Sequence, residues 1–148
     1  MGLTLGYLEL VVIALLLFAS GHRPSRIEAY EADAVGSLRT LNLAIPAYAI
    51  VHPEVGFPRS LQDLGPYSSR PGDEWQIDAA LASGTKFHYR FTYLPKSKNH
   101  GGVSDTYQLF ADPLDSSGRS SWHFFTDESG SIRKSEGSPA NETSEQIN

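Results

Sequence analysis

Ser25-Arg-Ile-Glu-Ala-Tyr30-Glu-Ala-Asp-Ala-Val35-Gly-Ser-Leu-Arg-Thr40-Leu-Asn-Leu-Ala-Ile45-Pro-Ala-Tyr-Ala-Ile50 carries a helical period. Apolar residues recur at Ile27, Tyr30, Ala34, Leu38, Leu41, Ile45 and Tyr48, in steps of three and four, which is one stripe of an α-helix. Val35 and Ala49 widen the stripe, and Arg26, Glu28, Glu31, Asp33 and Arg39 fall mostly off it. Ser25 with Glu28 three residues on reads as a capping box at the start. Pro46 removes an interior hydrogen bond and is expected to bend or end the helix. His52-Pro53 is the firm stop, because a residue before proline is pushed out of the helical region. A helix with one apolar stripe needs something to cover it, so the rest of the chain is expected to pack against this face.

Upstream, Leu10–Ala19 contains no polar side chain, and extending the run back to Leu3 admits only Thr4, Gly6 and Glu9. Leu3–Ala19 sits at the short end of the roughly 17–25 apolar residues that cross a bilayer. Residues 3–52 read as one long helix with two solvents. The first third lies in lipid, Pro24 is a possible kink, and the remainder packs on the body. Glu9, Leu10, Val11, Val12, Ile13, Leu15, Leu16, Leu17 and Phe18 are the expected membrane and assembly residues. Glu9 is the exception in that set, since a carboxylate in lipid costs about 2.5–3.5 kcal/mol and calls for a partner or an interfacial position. Arg23 and Arg26 follow the span and favour a cytoplasmic side, whereas the body reads as exported. Ala19-Ser20-Gly21 offers small residues where a signal peptidase would cut, so a cleaved signal is the alternative.

Downstream, the segment from Pro53 to Gly72 is a proline- and glycine-rich loop with one short helix, Ser60–Gly65. Asp78–Gly84 reads as another. Lys86–Leu94 alternates, with Phe87, Tyr89, Phe91 and Tyr93 on one face. Thr106–Asp112 and Ser121–Thr126 are further strands, Asp127–Gly130 is a turn, and Ser131–Lys134 makes a short last strand. The expected fold is α+β: a long N-terminal helix on a small antiparallel sheet of 3–4 strands in meander order. The chain divides into an apolar segment at 1–20, its amphipathic continuation at 21–52, a globular body at 53–134 and a disordered polar tail at 135–148.

Twelve basic against 17 acidic residues give a net charge of −5, and with no basic run nucleic acid is not an expected partner. The chain has no cysteine, which excludes disulfides, thiol catalysis and zinc–thiolate sites. Its five histidines (His22, His52, His88, His100 and His123) form no HExxH-type pair, although His88 and His123 fall on expected strands and could face each other. No nucleophile elbow and no phosphate-binding glycine loop are present. Asp112 and Asp115, with Asp127 and Glu128, are weak candidates for calcium, since Asp-rich turns between strands are ordinary. Trp75 and Trp122 read as core or rim aromatics.

Glu31–Asn42, Val55–Gly65, Leu81–Lys86, Phe110–Pro113 and Phe124–Arg133, in that order, resemble the blocks of bacterial type IV pilin-like proteins, including type II secretion pseudopilins. The resemblance covers roughly residues 20–133. It implies a long N-terminal helix, an antiparallel sheet packed on it, and filaments held together by apolar tips. It also raises calcium slightly, because some pseudopilins hold it in a late loop. The family's glutamate is fifth after its processing cut; Glu9 is seventh after Gly2 and third after Gly6. The loop after the helix has none of the cysteines that often bracket it in related sequences.

The expected function is a non-enzymatic structural subunit, tethered at the bacterial inner membrane with its body periplasmic or extracellular. Its partners would be copies of itself or other pilin-like subunits, met through the N-terminal helix. The alternative is an exported single-domain binding module.

Overall fold

The computed structural model describes residues 25–66, 76–96, 103–115 and 122–147. Helix α1 runs Arg26–Val51, about 39 Å at 1.5 Å per residue. Ser25 caps it as the sequence predicts: its hydroxyl accepts from Glu28 N at 3.2 Å, and Glu28 returns a carboxylate to Ser25 N at 2.6 Å. Pro46 lies inside the helix and does not end it; the helix stops at His52. The packing of Ala44, Ile45 and Tyr48 into the core holds the helical path on both sides of the proline.

The body follows as a 3-10 turn at Leu61–Leu64 and a single helical turn α2 at Ala79–Ala82. Then come strands β1 Thr85–Lys86, β2 Tyr89–Lys96, β3 Thr106–Pro113, β4 Trp122–Asp127, β5 Arg133–Glu136 and β6 Glu145–Gln146. Asp63 takes Arg59 N and Ser60 N to start the 3-10 turn, and Asp78 accepts Leu81 N to start α2. All six strands form one antiparallel sheet in sequential order, β1 to β6. The fold is therefore α+β, with a long N-terminal helix and an antiparallel meander.

The sheet has six strands rather than the expected 3–4, and both extra strands have a physical cause. The run Lys86–Leu94 is broken at Phe87-His88, where both residues take positive φ (51° and 61°) and fold a two-residue hairpin between β1 and β2. Such turns ordinarily announce themselves with Gly, Asn or Asp, and this one does not. The other extra strand comes from the polar tail. Residues expected to be disordered from 135 onward complete β5, loop back and form β6, with Ile147 N donating to Ile132 O at 2.8 Å. Polar composition hides this element, because it is held by backbone pairing, by the buried methyl of Ala140 (2% exposed) and by Ile147 packed against the core.

The two sheet faces differ. Tyr89, Phe91, Tyr107, Leu109, Ala111 and Phe124 face α1 and form the core with Ala34, Leu38, Leu41, Ala44, Ile45 and Tyr48. Each fully buried leucine in that set contributes about 1.5–3 kcal/mol. On the opposite face the Phe110 and Phe125 rings meet at a tilt, centroids 5.3 Å apart, and Phe125 is only 1% exposed. The C-terminal segment crosses at this side, with Glu142 sharing a small cleft with Lys96, Gln108 and Asp127.

Candidate assembly surface

Helix α1 carries two apolar faces, and only one is used inside the body. Its buried residues are Ala34, Ser37, Leu38, Leu41, Ala44, Ile45 and Tyr48. From Ala34 onward this is the predicted stripe, with Ser37 and Ala44 added; Ile27, Tyr30, Val35 and Ala49 are only half-buried. On the outward side Leu43 is 76% exposed, Ile50 81% and Val51 63%. Leu43, Ala47 and Ile50 or Val51 are spaced by four and by three or four residues, so they share that side. Between Arg39 and Glu54 there is no Asp, Glu, Lys or Arg. An exposed, uncharged, apolar helix face of this kind is a candidate interaction surface. The signal was present in the sequence as apolar residues lying off the main stripe.

The helix is oriented on the sheet by polar contacts. Asn42 Nδ2 donates to Thr126 Oγ1 at 3.0 Å and to Gly130 O at 3.1 Å, and the Tyr107 hydroxyl donates to Asn42 Oδ1 at 3.2 Å. Gly130 takes φ +74°, closing the Asp127–Gly130 turn that offers its carbonyl to the helix. Burial pushes the Tyr107 hydroxyl up to about 12. Burial also raises Tyr89, whose hydroxyl donates to Trp122 O at 2.9 Å, and Tyr93, whose hydroxyl donates to Pro58 O at 2.9 Å.

Arg26–Val51 is long and apolar enough, by length and composition, to cross a membrane. The body, however, commits one face of that helix to the sheet. The residues named as the membrane and assembly tip (Glu9, Leu10, Val11, Val12, Ile13, Leu15, Leu16, Leu17 and Phe18) lie outside the described residues, as do His22, Trp75 and His100.

The other sequence candidates are placed as follows. His88 and His123 do not face each other. His88 sits in the β1–β2 turn with its ring 4.4 Å from Tyr30, while His123 stands opposite Asp112 on the neighbouring strand, Nδ1 to Oδ1 2.6 Å. Asp112, named for calcium, therefore serves a cross-strand pair that the separate strand readings did not join. Asp115 is exposed beyond β3, and no group of three His, Asp or Glu side chains among the described residues is arranged to hold a metal. Trp122 is a rim aromatic with Lys134 Nζ 4.5 Å above its ring.

One concavity adjoins the helix. A cleft of about 400 Å³ opens between Asp33, Gly36 and Thr40 of α1 and Asp78, Lys86 and Phe87 across from them. Lys86 bonds Asp78, and that hydrogen bond lowers the Asp78 carboxyl below its usual value.

Among the described residues, the fold is α+β, built on one long helix with an exposed apolar side. No family model, no curated protein and no solved structure matches the chain.

Proposed function

We propose that this chain is a non-enzymatic, membrane-tethered structural subunit of pilin-like or pseudopilin-like type in a bacterial cell envelope. Leu3–Ala19 is the single inner-membrane anchor, and the body stands on the periplasmic or extracellular side. The observation that carries the reading is the division of labour on α1. One stripe is the spine of the body, and the outward side offers Leu43, Ile50 and Val51 to neighbours. Helices presented in this way pack side by side, giving homo- or hetero-oligomers with other pilin-like subunits. At about 0.8 kcal/mol per buried CH₂, the apolar tip dominates the energy of tethering. Leu16→Arg should move the protein out of the membrane fraction or abolish its assembly. Unchanged membrane fractionation would sink the anchor.

A second reading, an exported binding module released by cleavage of its signal, is favoured by the cleft beside Lys86 and Asp78. N-terminal sequencing of the mature protein separates the two, since a start near Gly21 removes the anchor.

A further inference from the structure

The sheet protects its two edges differently. On the β2 side, Pro95 has no N–H to offer and Lys96 adds a charge, both ordinary ways to blunt an edge. On the other side, among the described residues, β5 is covered by the two exposed residues of β6 and the strap of residues 137–147 that delivers them.

The strap is anchored by the burial of Ala140 (2% exposed) and by Ile147 packed against the core, and its contacts along β5 itself are few. Arg133 Nη1 donates to Ser144 O at 3.0 Å, Ile147 N to Ile132 O at 2.8 Å, and Lys134 Nζ lies 3.6 Å from Glu145. The last contact is informative because Lys134 and Glu145 are directly opposite in the register. The strap thus places a carboxylate across from Lys134.

A second copy of β5 does the same. If two β5 strands meet antiparallel about a two-fold axis at Ser135, Ser135 faces Ser135 and each Lys134 faces the other copy's Glu136. Both pairs keep their residues on matching sheet faces, as antiparallel neighbours must. The backbone agrees: the Ile147–Ile132 bond makes residues 132, 134 and 136 the ones whose N–H and C=O point to the open side, by the alternation of an antiparallel ladder.

We propose that the C-terminal strap is an intramolecular stand-in for a second copy of this chain. In this inference Glu145 occupies the place of the second copy's Glu136, and lifting the strap lets two sheets join through β5.

The test compares the full chain with a chain ending at Gly137, in the same detergent, by sedimentation mass. The shortened chain should gain one self-association step that the full chain lacks. Glu136→Lys should remove that step, and adding Lys134→Glu should restore it. Because the chain has no cysteine, Ser135→Cys placed in the shortened chain supplies a second readout. Mild oxidation should link shortened Ser135→Cys copies, whereas full-length Ser135→Cys and shortened Ser129→Cys should stay unlinked. A folded shortened chain with unchanged mass, or indifference to the charge swap, overturns the proposal. Loss of the sheet on shortening also overturns it, because the strap would then be part of the fold rather than a cover. So does a shortened Ser135→Cys chain that links no faster than shortened Ser129→Cys.

Discussion

The Tyr107 hydroxyl on β3 reaches across the helix–sheet interface to Asn42 Oδ1 on α1, at 3.2 Å. Asn42 uses its other amide atom to meet the wholly buried Thr126 on β4. One helical side chain thus sets the position of α1 against two strands. Apolar packing alone is non-directional and does not fix such a register. Asn42→Ala should cost about 1–3 kcal/mol, because it strands a buried hydroxyl. Thermal unfolding of the variant measures it, and Tyr107→Phe should cost less. A double-mutant cycle with coupling near zero would show that the contact does not orient the helix.

Stability should fall at high pH. The folded Tyr107 hydroxyl is raised to about 12 from an ordinary 10.0, so the neutral form is favoured by folding. A raised folded value contributes stability that is fully present below the unfolded pKa and is lost as pH rises through the folded one. The window is therefore about pH 10 to 12, and Tyr89 and Tyr93 shift in the same direction. Ultraviolet titration should show three tyrosines ionising late, in step with loss of the sheet. Ionisation of every tyrosine near 10 in the folded state would contradict this.

Gly36 occupies an exposed position within α1, and a Cβ built there meets nothing within 4 Å. Gly36→Ala should stabilise the body by about 0.5–1 kcal/mol through helix propensity alone. Chemical denaturation would detect it. A destabilised variant would mean that the backbone at Gly36 is approached by something other than solvent.

On the proposed function, substitutions on the outward face of α1 should separate folding from assembly. Leu43→Glu with Ile50→Glu should change stability by no more than about 0.5 kcal/mol per site, as exposed substitutions usually do. The same pair should abolish co-sedimentation of copies in the membrane. Assembly that survives both changes would remove this face from the interface.

The amphipathic helix was legible from one stripe, and every apolar residue from Ala34 to Tyr48 on that stripe is buried. The capping box, the His52 stop, the Asp78 start and the Asp127–Gly130 turn were legible too, because each is made by residues within four positions of one another. The strand count was not. Phe87 and His88 turn the chain without a turn composition, and the tail becomes β6 through backbone bonds that any polar sequence can make. The His123–Asp112 pair was hidden for a related reason. Each residue was read on its own strand, and only the β3–β4 register sets them opposite each other.

Local chemistry therefore specified the long helix, its ends, the alternating aromatic strands and the α+β class, since periodicity and capping act over a few residues. Tertiary structure alone settled that Pro46 is carried through, that Asn42 meets Tyr107, that Leu43 and Ile50 are left outside, and that a polar tail closes the sheet. Each of these depends on which distant backbone lies alongside. That outcome comes from packing the whole core at once, so no stretch of the chain states it alone.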